Sequence, residues 1–284
     1  MTPALLFGLL AALCYGASSL VARLSGRASG VLPTLFWSQL ILLALAAVVF
    51  SASGDFPRGH AVDWIILIGT DLAIIAATAC LYRGLAVGRV SIVAPVMASY
   101  GAVSAVLAWS IGEDISPMAI GGLALTIAGA ILSAVQKDDS QQKKSGLGYA
   151  AASALLFGLG YWAQGTFVLP TFGAVSTVFL YYLGAALVFG LSALILRANL
   201  RTFDNAKEMG LMLATAGLSG GGFAATLLAQ TDGDVAIATA VSSASTAITV
   251  ILALIFLKDR PSRTGWAGVV AVVGGVMLLQ LASG

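Results

Sequence analysis

The chain has 284 residues, of which 59% are hydrophobic and only 9% are charged, and its formal net charge is +2. Soluble domains carry about 25% charged residues, so this composition excludes an ordinary water-soluble domain. The small net charge gives no reason to expect nucleic-acid binding, and lipid is the predicted solvent for most side chains.

The apolar residues form continuous blocks rather than an alternating pattern, which favours membrane helices over a barrel. A helix needs about 20 apolar residues to cross a bilayer. The predicted fold class is therefore an all-α polytopic membrane protein with ten transmembrane helices. In chain order, the predicted spans are residues 4–24, 33–52, 61–86, 90–111, 117–136, 147–169, 172–196, 206–230, 235–257 and 265–282.

An internal repeat divides the chain. Displaced by 145 residues, GRVSIVAPV from Gly88 aligns with GDVAIATAV from Gly233, and Tyr15-Gly16 aligns with Phe157-Gly158 at a slightly smaller displacement. We therefore predict a first five-helix repeat over 1–136, a cytoplasmic linker over 137–146 and a second repeat over 147–284. Because five is odd, the second repeat enters the bilayer from the opposite side, as in inverted-repeat secondary transporters.

The basic residues support this arrangement. All Lys and Arg residues except Arg58 fall in the odd-numbered connections between predicted spans. Cytoplasmic connections are enriched in Lys and Arg. The odd connections are therefore expected in the cytoplasm, and both termini on the non-cytoplasmic side.

Asp71 is the one acid predicted near the middle of a span. A carboxylate there costs roughly 2.5–3.5 kcal/mol on insertion scales, so it needs water, a partner or a proton. We consider a contact to a substrate amine, a proton-coupling site and a hydrogen-bonded structural acid. Pro95 and Gly221 are candidate hinges, since both lie inside predicted helices and weaken them.

Aromatic and polar side chains recur inside several predicted spans. Such residues also anchor helices at membrane interfaces, but aromatic walls with a few hydrogen-bonding groups suit a cavity for a zwitterion with an apolar side chain. Trp162 is the foremost candidate because it lies deep in its span. The other candidate substrate-binding residues are Tyr100, Tyr82, Tyr15, Ser19, Met97, Tyr161, Gln164, Ser243 and Ser245.

These features together resemble the drug/metabolite transporter superfamily, and within it the EamA-type branch. The resemblance is carried by residues 82–132 and 229–278, with Pro95 and Gly112-Glu113 matching the family's habit. The second half departs from it, with Ala240 in place of the proline and Leu257-Lys258 in place of Gly-Glu. Size and aromatic placement are similar to the YddG-type amino-acid exporters, which implies a bacterial inner membrane location.

The predicted function is therefore export of small metabolites, foremost amino acids and among them aromatic ones, by alternating access about a midplane cavity. A drug or other metabolite transporter on the same scaffold is the alternative. An intramembrane enzyme or a receptor is disfavoured, because no catalytic constellation is visible. The sequence predicts no cofactor and no metal site. The predicted partners are a small-molecule substrate and the lipid bilayer, and the sequence is compatible with a monomer.

Overall fold

The fold was analysed in a computed structural model that describes residues 3–53, 57–112, 116–135, 141–200, 205–231, 245–258 and 262–283. The described part of the chain is helical and contains no strand. Its helices are α1 (Pro3–Ala28), α2 (Val31–Ser53), α3 (Ala61–Val87), α4 (Val90–Met97), α5 (Tyr100–Ser110), α6 (Pro117–Ala134), α7 (Gln141–Ala163), a π-helix (Gln164–Val168), α8 (Leu169–Ile195), α9 (Ala206–Thr231), α10 (Ser245–Leu257) and α11 (Arg263–Ser283).

Five described segments are long and apolar enough to cross a membrane, and three shorter apolar helices accompany them. This confirms the prediction of an all-α polytopic membrane protein, while the count of ten spans stays a prediction. The five segments are Leu9–Ala28, Val31–Ser53, Ala61–Val87, Val90–Ser110 and Gly146–Ile195, and the shorter helices are Pro117–Ser133, Ser245–Leu257 and Arg263–Leu278.

The fourth predicted span, 90–111, is not one continuous helix. It is divided into α4 and α5 at Ala98 and Ser99, three residues beyond Pro95. Proline has no N–H to donate to the carbonyl four residues earlier, which here belongs to Ser91. The Ser99 N–H bonds to the Val96 carbonyl at 3.2 Å, a tight turn that ends α4.

Two boundaries around the sixth span also differ from the prediction. α7 begins at Gln141 rather than 147, so the predicted linker 137–146 is helical from residue 141 onwards. Gln and Lys are good helix formers. A helix can also extend beyond the lipid, because its backbone hydrogen bonds are made within the helix itself. At the other end, Gly173 has a φ of 72° and interrupts α8. This positive φ suits glycine, and it moves the interruption four residues beyond residue 169, where the sixth span was predicted to end.

Small residues bring antiparallel helices into close contact. In α6 and α11, Gly129 lies against Gly268 and Val272, while Thr126 lies against Gly275. Residue numbers therefore increase along one helix as they decrease along the other, and the two helices are antiparallel. A side chain at these glycines would meet the backbone of the facing helix, and close approach of this kind is typical of membrane helices. The pairs α1 with α9 and α3 with α7 are also antiparallel.

Two helix contacts match each other across the repeat. Gly158 of α7 packs against Val103 and the Tyr100 carbonyl of α5, and its own carbonyl accepts a 2.8 Å hydrogen bond from Ser104 Oγ. We call this the α5–α7 junction. Its residues at 100, 103 and 104 correspond to 245, 248 and 249 in the second repeat.

The corresponding α1–α10 junction has the same construction. Gly16 packs against Ile248 and the Ser245 carbonyl, and its carbonyl accepts a hydrogen bond from Thr249 Oγ1 at 3.3 Å. The internal repeat read from the sequence is thus reproduced in matching glycine contacts and matching hydroxyl hydrogen bonds.

The end of α3 is held by two arginines of α1. Arg23 Nη1 donates to the Gly88 carbonyl and Arg27 Nε donates to the Ala86 carbonyl, each at 2.7 Å. The last carbonyls of a helix carry partial negative charge, so cations stabilise this end. Arg23 is nevertheless only 7% exposed, which makes this a buried contact between α1 and α3.

Candidate substrate site

Six of the seven tyrosines lie close to one another in the interior, where helices of both halves meet. Tyr161 is close enough to interact electrostatically with four others, and Tyr82 completes the group through Tyr181 and Tyr182. We call this group the tyrosine cluster. Its members are Tyr15 of α1, Tyr82 of α3, Tyr100 of α5, Tyr161 of α7 and Tyr181 and Tyr182 of α8.

Stacked rings form one wall of the cluster. Phe157 and Tyr161, one turn apart on α7, have ring centroids 5.2 Å apart, and Tyr100 contacts Tyr161 edge-on at 5.4 Å. Aromatic pairs of this geometry contribute about 0.5–1.5 kcal/mol each beyond area burial. Met97 packs on the same wall. Tyr161 remains 41% exposed, so this wall presents an accessible ring rather than a sealed core.

Hydroxyl groups form a second wall that joins four helices. Ser18 Oγ of α1 and Ser219 Oγ of α9 are 2.6 Å apart, and Tyr82 hydrogen-bonds to the side chains of Ser219 and Ser38. Ser38 Oγ also donates to the Leu35 carbonyl of its own helix at 3.1 Å. Buried polar networks of this kind fix the helices that they join.

Asp71 of α3 lies inside the bundle, 5% exposed, and its Oδ1 is buried without a hydrogen-bond partner among the described residues. Ser153 Oγ of α7 donates to the Ala77 carbonyl of α3 at 3.0 Å, and Ile74 packs onto Gly160. Because α3 and α7 are antiparallel, this register places Asp71 near the level of Tyr161 and Trp162. Tyr181 is close enough to interact with Asp71 electrostatically.

Trp162 lies directly before an irregular part of the helix. Its Nε1 is buried without a hydrogen-bond partner in the described structure, and its ring meets Phe167 edge-on at 5.5 Å. The π-helix Gln164–Val168 begins two residues later and contains Gln164. Single π turns inside α-helices occur frequently at functional sites.

The remaining predicted residues have more ordinary surroundings. Ser19 Oγ bonds to the Tyr15 carbonyl of its own helix at 3.1 Å, and Ser245 is the first residue of α10. Ser243 lies outside the described residues. Gly221 lies within α9, which is continuous there. Its role as a hinge, like that of Pro95, stays a prediction.

Sequence reasoning left several residues of this site unassigned. Tyr181 and Tyr182 lie in the middle of the seventh predicted span, as deep as Trp162 in the sixth, and that depth was the available signal. Thr78 contacts the Tyr181 hydroxyl at 3.3 Å, and Ser38 and Ser219 bond to Tyr82. Thr78 and Ser38 also bond to carbonyls of their own helices, and no pattern in the sequence shows which hydroxyls reach a tyrosine as well.

Comparisons with known proteins agree with this architecture. A solved structure titled "Crystal structure of protein" aligns with a TM-score of 0.67 and 18% identity, covering 99% of this chain and 97% of its own, which shows a shared fold. No curated protein matches the chain. The model of the EamA-like transporter family matches twice, over residues 2–135 and 144–281. The chain therefore belongs to the EamA-like transporter family, within the drug/metabolite transporter superfamily.

Proposed function

We propose that the protein is a secondary transporter that exports amino acids, foremost aromatic ones, by alternating access about a central site between its two halves. The observation that carries this proposal is the tyrosine cluster, which draws its side chains from α1, α3, α5, α7 and α8. Membership of a transporter family supplies the general activity, and the cluster supplies a place for an apolar or aromatic substrate.

Alternating access rests here on ten spans in two inverted halves, 1–136 and 147–284, joined by the segment 137–146. α6 and α11 are equivalent in the repeat and run antiparallel. A two-fold rotation that exchanges antiparallel helices has its axis perpendicular to them. For helices that cross the membrane, this axis lies in the membrane plane. Rocking of one half against the other then exposes the site to either side in turn.

The orientation follows from the basic residues. With the odd connections in the cytoplasm, the contact of Arg23 and Arg27 with the end of α3 lies at the cytoplasmic face. Both termini then lie outside, in a bacterial inner membrane.

The chemistry of the site favours amino acids within the range of metabolites. Ring faces suit an apolar side chain, while the hydroxyls and the Trp162 N–H can bond to polar groups. Phosphorylated substrates call for Arg or Lys, and neither occurs near the middle of a predicted span. A drug or other metabolite on the same scaffold is the alternative, and Gln164, Met97 and Ser245 are proposed as further contacts.

The proposal is tested by reconstituting the protein in liposomes and following the flux of a panel of labelled amino acids. We expect Trp162→Ala to lower the flux by about tenfold with unchanged expression, because truncation removes both the ring and the N–H, and 1.4 kcal/mol corresponds to a factor of ten.

Trp109→Ala is the matched control, since Trp109 is 63% exposed near the end of α5 and should leave the flux unchanged. Absence of flux for every amino acid in the panel, with flux of other metabolites, would favour the alternative substrate class. Equal flux in the two variants would remove Trp162 from the transport path.

A further inference from the structure

Asp71 has a buried carboxylate that the described structure does not neutralise. Asp71 lies well within a membrane helix and is only 5% exposed. Among the described residues, its Oδ1 has no hydrogen-bond partner and no basic side chain pairs with it. An uncompensated acid at this depth costs roughly 2.5–3.5 kcal/mol on insertion scales. Intramembrane acids that persist at such a cost commonly serve ligands or ions.

The surroundings of Asp71 suit an organic cation. Its register with α7 places it near the level of Trp162 along the two helices, and Tyr181 interacts with it electrostatically. Ring faces attract ammonium groups by about 0.5–2 kcal/mol. Tyr181 therefore places a ring of the tyrosine cluster, able to attract a cation, close to the acid.

A second unsatisfied group complements the first. Among the residues that the structure describes, Trp162 Nε1 is a buried donor without a partner, and Asp71 Oδ1 is a buried acceptor without one. The two atoms do not bond to each other. A ligand that carries an ammonium group and a hydrogen-bond acceptor offers a partner for each of the two groups.

We propose that Asp71 is the ammonium-binding subsite, and that the site selects substrates carrying a protonated amine. This rests on the proposed transport function and names the chemical group that it recognises. The Asp71 carboxylate binds the ammonium, Tyr181 flanks it, and the Trp162 N–H bonds to an acceptor atom of the same substrate. An aromatic acid without the amine lacks the main attractive contact and meets the repulsion of the carboxylate.

The test compares three probes with one aromatic ring: phenylalanine, phenethylamine and 3-phenylpropionate. Binding to the purified protein in lipid nanodiscs is measured by calorimetry, and flux is measured in liposomes. We expect the two amines to bind and 3-phenylpropionate to bind at least about tenfold more weakly, as for loss of a hydrogen bond to a charged group. This ranking is measured on the unaltered protein and needs no variant.

Asp71→Asn should weaken both amines by about tenfold or more and leave 3-phenylpropionate unchanged or tighter, while Asp71→Glu should keep the preference for amines. Asp63→Asn is the matched control. Asp63 is on the same helix, where its Oδ2 accepts from the His60 backbone N–H at 2.8 Å, and its replacement should change none of the three affinities.

The outcomes separate this inference from the proposed function. Amino-acid flux that Asp71→Asn leaves unchanged would overturn the ammonium subsite and leave the exporter standing. Binding of amines that depends on Asp71, without flux of any amino acid, would support the subsite and overturn the exporter. Equal binding of all three probes, or binding of 3-phenylpropionate alone, would overturn the subsite.

Discussion

The α5–α7 and α1–α10 junctions share a backbone and differ in side chains. Each places a glycine against a carbonyl and a β-branched residue of the neighbouring helix, with a hydroxyl bonded to the glycine carbonyl. Around Gly158, however, stand the rings of Tyr100, Phe157 and Tyr161.

The repeat places smaller groups at most of the matching positions around Gly16. Ser245 corresponds to Tyr100 and Ser19 to Tyr161, while Tyr15 alone keeps a ring opposite Phe157. The comparison teaches that the repeat maintains helix packing, whereas the chemistry of the site comes from the positions at which the halves differ.

The largest expected effect tests the shared backbone. A Cβ at Gly158 would lie 2.8 Å from the Tyr100 carbonyl oxygen, and one at Gly16 would lie 3.1 Å from the Ser245 carbonyl oxygen. Gly158→Val and Gly16→Val should each destabilise the protein by about 1–3 kcal/mol or more, as overpacking does. Thermal unfolding in detergent and the monodisperse fraction on size exclusion measure this.

Gly148→Ala provides the control on α7, because an added Cβ there has no heavy atom within 4 Å. If only one of the two valine variants were destabilised, the junctions would not be equivalent. If neither were, the glycine contacts would have no structural importance.

A smaller effect tests the difference in side chains. Tyr161→Ser gives the α5–α7 junction the residue that the α1–α10 junction has at Ser19. The change removes a ring on which an aromatic substrate can stack, a contact of about 0.5–1.5 kcal/mol, so flux of aromatic amino acids should fall by roughly two- to tenfold. Since Tyr161 is 41% exposed, expression and folding should be retained.

Tyr149→Ser is the matched control, since Tyr149 is the tyrosine outside the cluster and is similarly exposed. Liposome flux of both variants checks the prediction. A loss of flux in Tyr149→Ser equal to that in Tyr161→Ser would show that the cluster has no special role.

The smallest effect compares the two hydroxyls. Ser104→Ala removes the 2.8 Å bond to the Gly158 carbonyl, and Thr249→Val removes the 3.3 Å bond to the Gly16 carbonyl. Interhelical hydrogen bonds in membrane proteins average about 0.6 kcal/mol. Ser104→Ala should cost about that much, and Thr249→Val less, because Thr249 also bonds to its own helix at 2.9 Å.

Unfolding of the two variants in denaturant measures this difference. Ser192→Ala serves as the reference, because Ser192 Oγ bonds only to the Val188 carbonyl of its own helix among the described contacts. A larger cost for Thr249→Val than for Ser104→Ala would contradict the order of the two distances.

The sequence by itself determined the class of fold and the register of the repeat. Lipid leaves backbone groups no partner outside their own helix, so the length of each apolar block is enough to predict a helix. The repeat then gave the correspondence of 100, 103 and 104 with 245, 248 and 249. Tyr15, Tyr100 and Tyr161 were predicted as site residues, because aromatic residues inside a span are detectable one helix at a time.

Only the tertiary structure decided which of these residues meet. Tyr181 and Tyr182 join the cluster because α8 packs beside α3, and Ser219 reaches it because small residues let α9 approach α1 closely. The break at Ala98 and Ser99 and the π-helix after Trp162 depend on local hydrogen bonding. The bilayer constrains each helix separately, whereas contacts between helices depend on side chains far apart in the chain.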